Sequence, residues 1–188
     1  MEKHLFSAEE LLHLKFIKEN SPKRIWFEFI QYVFEYENFH FLLEIKAAKK
    51  ITYDVQNFNN YAMKTAITFV NEKYIPQESC QLLMENETIE EIQIIRTKLY
   101  FSEPKKNGQQ YYSCECNQIN PEKSPPTNSD LKEIIVVDVG VSLIFENKQV
   151  VNFFINDNDD DFYSNENSTQ KEDFKKELEQ KYQFVDLK

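Results

Sequence analysis

The stretch KRIWFEFIQYVFEYENFHFLLEIK, from Lys23 to Lys46, decides the fold. Aromatic and β-branched residues crowd it, and such side chains suit a pleated, half-buried surface better than a helix. The expectation is an antiparallel hairpin, Arg24–Tyr36 returning as Phe39–Lys46, with its turn at Glu37-Asn38. Strand alternation along the first arm puts Ile25, Phe27, Phe29 and Val33 on one face, and Trp26, Ile30, Tyr32 and Phe34 on the other. Both faces are apolar, as in a central hairpin covered on each side. The competing reading is one long buried helix starting at Ser21-Pro22, because a short apolar run does not by itself separate strand from helix.

On the N-terminal side, Ser7 and Glu10 form a capping box, with Phe6 and Leu11 placed as a hydrophobic staple. Leu11, Leu12, Leu14 and Phe16 recur at helical spacing, and Glu19–Pro22 ends the helix. His13 reads as a surface or half-buried helix histidine, since no catalytic partner motif accompanies it.

On the C-terminal side, a strand is expected near Met63–Val70, a short helical turn around Cys80–Met84, and a strand over Glu91–Phe101. Asn107-Gly108 is a hairpin signal, with YYSCEC as the return strand. Asn117–Asp130 is polar and proline-broken, and reads as an exposed loop. A second hairpin runs from Glu133–Phe145 to Gln149–Asn156 and turns at Glu146–Lys148; Asp138 is the single polar interruption of its first arm. Thr169 and Glu172 form another capping box, and Phe174, Leu178 and Tyr182 follow at four-residue spacing, predicting a final amphipathic helix. QFVDL, at the chain end, reads as a closing strand.

The expected class is therefore α+β: a mainly antiparallel sheet built around two long hairpins, with an N-terminal and a C-terminal helix packed on it. The 188 residues read as one globular domain, with exposed loops at about 117–130 and 156–168. Hydrophobic residues at 41% and charged residues at 29% are ordinary globular values. No apolar run reaches membrane-spanning length, and glutamates break the N-terminal stretch where a signal peptide needs its apolar core. Three cysteines cannot all pair, which fits a reducing cytoplasm.

Gly108 and Gly140 are the only glycines, too few for a P-loop or a dinucleotide fingerprint. Nor can they form a nucleophile elbow. The net charge is −10, from 22 basic and 32 acidic residues. Such a charge repels phosphate backbones and favours a basic protein partner. Phe, Tyr, Asn, Lys and Ile are abundant, as in an A/T-rich coding sequence, so the aromatic content is not evidence for stacking on bases.

The acidic excess gathers in Asp157, Asp159, Asp160, Asp161 and Glu166, with no cation between Asn156 and Gln170. As an EF-hand loop this run fails, because Phe162 stands where glycine makes the turn and Ser168 where a bidentate glutamate is needed. Cys114 and Cys116 point the same way on a strand, but with Cys80 and scattered histidines they do not supply an evident four-ligand zinc set. Asp138 followed by Glu146-Asn147-Lys148 resembles the PD-(D/E)-x-K pattern of metal-dependent nucleases, without its proline and with E-x-K at a turn. Trp26, the single tryptophan, reads first as core and second as an interface anchor.

The expectation is a non-enzymatic cytoplasmic binding protein with no cofactor and no bound metal. Its concrete form is a bacterial immunity or antitoxin-like inhibitor, whose carboxylates Asp157, Asp159, Asp160, Asp161 and Glu166 occlude a basic partner such as a nuclease toxin. Nucleic acid and membrane are not expected partners. The alternative is a metal-dependent hydrolase or nuclease using Asp138, Glu146 and Lys148.

Overall fold

A computed structural model describes residues 2–28, 31–52, 59–102, 112–114, 131–155, 162–165 and 182–187. In chain order the elements are β1 (Glu2–His4), α1 (Ala8–Glu19), β2 (Arg24–Glu28), β3 (Gln31–Glu35), β4 (His40–Thr52), β5 (Asn59–Val70) and β6 (Gln81–Glu85). They continue with β7 (Ile89–Ser102), β8 (Tyr112–Cys114), β9 (Leu131–Phe145), β10 (Val150–Ile155), β11 (Phe162–Asn165) and β12 (Gln183–Asp186).

Two sheets form. The first runs β11-β10-β9-β7-β12, and the second β5-β4-β3-β2-β6. The long antiparallel pair β7–β9 is the spine of the first sheet. The far edge of β9 is shared by β10 at one end and by β1, running parallel, at the other. The far edge of β7 is shared by β12 and β8. The sheets meet face to face over one core, where Phe153 of β10 sits 4.0 Å from the Tyr32 ring and edge-on to Phe34. Leu14 and Ile17 of α1 enter the same core. Each such buried aliphatic side chain contributes roughly 1.5–3 kcal/mol.

A bulge lets β9 serve two cores. Ile95 pairs with Gly140 and Arg96 with Asp138, so Val139 is an extra residue. It inverts the alternation: Val141, Leu143 and Phe145 face the core between the sheets. Ile135, Val137 and Val139 instead join Ile95, Leu99 and Phe154 in a second cluster on the opposite face. Gly140 is needed beside this bulge, because a Cβ there would collide with the Phe153 carbonyl oxygen and the Phe154 Cα.

The expected α+β class, with a helix at each end of the chain, is overturned: the fold is mainly β. Among the described residues α1 is the one helix. It keeps the Ser7–Glu10 capping box and ends at Glu19, as expected. The expected final helix falls on residues outside the described ones up to Tyr182, and the described end of the chain is the expected closing strand, β12.

The arm expected to run from Arg24 to Tyr36 is two strands, β2 and β3, which pair with each other from Arg24↔Glu35 to Glu28↔Gln31. That reversal changes the faces. Directly opposed residues in an antiparallel pair share a face, so Ile25 and Phe27 lie with Phe34 and Tyr32, while Trp26 lies with Val33. The expected second arm holds as β4, and the helical reading of this stretch does not. The helical turn expected at Cys80–Met84 is strand β6, paired on β2. Within the stretch read as the loop 156–168, Phe162–Asn165 is strand β11, paired on β10. The other residues of that stretch, and the loop 117–130, lie outside the described residues.

Candidate binding face

One face of the second sheet packs on the first sheet through Ile25, Phe34, Leu43 and Ile67. Strand register sets what the other face carries. Trp26 stands opposite Val33 and Leu82, Arg24 opposite Glu35 and Glu85, and Glu35 opposite His40. Every second residue of β2 is thus polar or aromatic and points away from the core: Arg24, Trp26 and Glu28.

These groups form a connected array. The Trp26 indole N–H donates to Glu35 Oε2 at 2.6 Å. The Arg24 guanidinium lies 6.0 Å from the Trp26 ring centroid, donates from Nε to Glu85 Oε1 at 2.8 Å, and places Nη1 3.6 Å from Glu35 Oε1. Glu28 accepts hydrogen bonds from Gln31 and from the Tyr74 hydroxyl, both at 3.2 Å. A guanidinium held between carboxylates over an indole is a favourable setting for a cation, combining charge pairing with cation–π attraction.

Asn71–Cys80 straps across this face. The His40 Nδ1–H donates to the Glu72 carbonyl at 2.8 Å, and the Tyr74 ring centroid lies 5.4 Å from that of His40 and 6.3 Å from that of Trp26. Cys80 Sγ lies 3.2 Å from the Tyr74 hydroxyl and accepts from the Gln77 N–H at 3.1 Å. Burial, the Cys80 hydrogen bond and the nearby Glu28 carboxylate push the Tyr74 hydroxyl far above its ordinary pKa, so it stays a neutral donor. Beside this array Ile75 is 79% exposed and Leu82 42% exposed. The segment Asn71–Glu87 carries Glu72, Glu78, Glu85 and Glu87 against Lys73 alone. The result is an aromatic and aliphatic surface with an acidic rim.

The residues expected to form a metal-dependent hydrolase site are not brought together. Asp138 is fully buried; it accepts the Phe6 N–H at 2.7 Å and the Arg96 Nε–H at 2.7 Å. Glu146 and Lys148 sit in the β9–β10 turn, where Lys148 has a positive φ of 67° and its Nζ lies 2.6 Å from Glu90 Oε2. At about 3.3 Å per residue, the strand between Asp138 and Glu146 separates them by roughly 25 Å. Two carboxylates that share a cation cannot stand so far apart.

Asp157, Asp159, Asp160, Asp161 and Glu166 lie outside the described residues, although the flanking strands β10 and β11 pair at Ile155↔Phe162. Cys116 also lies outside them, while Cys114 falls on β8. Trp26 is half-buried on the outward face rather than enclosed in the core. Sequence reasoning missed Glu28, Glu35, Tyr74 and Leu82. The R-x-W-x-E alternation on β2 was the available signal, and the unrecognised reversal after Glu28 hid which residues join it. Comparison with family models, with curated proteins and with solved structures returns no match. Among the described residues, no helix is long and apolar enough to cross a membrane.

Proposed function

We propose that this chain is a non-enzymatic cytoplasmic binding protein that captures and occludes a basic protein partner, in the manner of an immunity or antitoxin-like inhibitor. The observation that carries the proposal is the outward face of the second sheet, where Trp26 and Leu82 lie beside the carboxylates of Glu28 and Glu85, and the buried Glu35 carboxylate holds the Trp26 indole. Interfaces concentrate their energy in a few buried aromatic and arginine anchors. Their charged rims set encounter rate and partner choice. A net charge of −10 supports a cationic partner over an acidic or phosphorylated one. Asp157, Asp159, Asp160, Asp161 and Glu166 are proposed to extend the negative field toward that partner.

The test is affinity capture from the native cell with the wild-type chain and with Trp26→Ala/Glu28→Lys, followed by an activity assay of the purified partner. The expected result is one basic protein, retained by the wild type and lost by the double variant, whose activity falls when the wild type is added. A partner that is acidic, or equally well held by the double variant, would overturn the proposal.

A further inference from the structure

We propose that α1 is a self-docking surface, on which two copies of this chain associate antiparallel about Leu12. The residues of α1 turned to solvent are Ala8, Glu9, Leu12, Lys15, Phe16 and Glu19. At three- and four-residue spacing they form one face of the helix. Leu12 is 66% exposed and Phe16 38% exposed. Two large apolar side chains stand unburied on this one short helix face.

Phe16 is held in place before any partner arrives. Its ring centroid lies 5.7 Å from that of Tyr36, 5.9 Å from Phe39 and 5.7 Å from Phe41. An anchor already ordered loses little side-chain entropy on docking. Phe69, on the neighbouring edge strand β5, is 43% exposed and extends the apolar surface beyond the helix.

The charges select the occupant. In a two-fold, isologous contact a residue i that meets j of the other copy has its own j met by that copy's i, and only a residue on the axis meets itself. Antiparallel packing centred on Leu12 sets Leu12 on Leu12, Phe16 over Ala8, and Lys15 against Glu9 on both sides of the axis. Large thus meets small, and each cation meets a carboxylate. Centring the axis two residues later would oppose Glu9 to Glu19, so the sequence favours one register. Each copy carries −10, but that repulsion is screened over about 8 Å at physiological ionic strength. The apolar residues and the two Lys15–Glu9 pairs act at contact distance.

The experiment is sedimentation equilibrium on the full chain over a broad concentration range, with melting curves to show that each variant remains folded. The wild type is expected to reach twice the 22.6 kDa mass of one chain. Leu12→Glu should weaken self-association on the order of 30-fold or more, the effect of losing a central anchor. Glu9→Lys and Lys15→Glu should each weaken it, and the two combined should restore it. A one-chain mass at every concentration would overturn the proposal. So would a dimer indifferent to Leu12→Glu, or one whose two charge reversals fail to rescue each other.

Discussion

Phe6 donates its backbone N–H to Asp138 Oδ2 at 2.7 Å, across 132 positions of sequence. The same carboxylate accepts Arg96 Nε at 2.7 Å and Nη2 at 3.4 Å, so one buried side chain ties the entry to α1 to the β7–β9 spine. The Arg96 side chain is 22% exposed, and its charge is compensated by Asp138. Removing one member of a buried pair strands the other and typically destabilises by about 3–5 kcal/mol. Asp138→Ala is therefore expected to lower unfolding free energy by roughly that amount in urea titration. Asp138→Asn, which keeps an acceptor for Phe6 or Arg96, should lose less. A change near zero for both variants would remove Asp138 from the determinants of the fold.

Gly140 supplies a separate test of the spine. Its missing Cβ leaves room for the β10 backbone at Phe153 and Phe154, which cannot swing aside as a side-chain tip could. Gly140→Ala should destabilise by about 3 kcal/mol or more, the upper range for overpacking. Val139→Ala removes apolar volume from the second cluster without a clash and should cost less. Chemical denaturation of both variants checks the order, and the reverse order would contradict this placement of β9 against β10.

Much of this architecture was legible in the sequence, and the parts that were not share a cause. α1 was marked by its capping box, and β9–β10 by a long apolar run with a polar turn. The reversal between Glu28 and Gln31 was hidden because Phe29-Ile30 offers no Gly, Pro, Asn or Asp to mark it. An unmarked reversal also shifts parity, which is why uninterrupted strand alternation groups Trp26 with Tyr32 and Phe34 instead of Val33. The pairing of β1 on β9 depends on residues distant in sequence and leaves no local pattern, while the bulge at Val139 leaves only the isolated Gly140 inside an apolar strand run. The outward face was correspondingly half visible: R-x-W-x-E shows on β2, but Tyr74 reaches it only through the strap.

Glu10 sets a pH dependence. Burial opposes its charged form, but the Ser7 N–H and hydroxyl, the Lys64 ammonium and the Ile67 N–H together hold its carboxyl below the ordinary glutamate range. A carboxylate whose pKa is lowered by folding contributes stability that is complete above the unfolded-state value, near 4.3, and is lost as pH falls through the folded-state value. Melting temperature should therefore fall on acidification below about pH 4 more steeply in the wild type than in Glu10→Gln. At neutral pH the variant should be the less stable of the two. Identical acid limbs would show that Glu10 contributes nothing to the acid transition.

Two surfaces are expected to divide the kinetics of partner capture between them. Carboxylates that steer a cationic partner act before contact, so Asp157, Asp159, Asp160 and Asp161 changed together to Asn should slow association. The loss should reach roughly 10-fold or more at low salt. The salt slope should flatten with it, and the dissociation rate should barely move. Trp26 acts after contact. Its indole is fixed by the hydrogen bond to Glu35 and the overlying Arg24, so it is ordered before the partner docks. Trp26→Ala should raise the dissociation rate on the order of 30-fold while association and its salt slope stay unchanged. Surface plasmon resonance with the captured basic partner, over a series of ionic strengths, separates the two effects. If Trp26→Ala leaves dissociation unchanged, the outward face of the second sheet is not where the partner sits. If the aspartate variant leaves both rates unchanged, the run from Asp157 to Asp161 has no part in finding it.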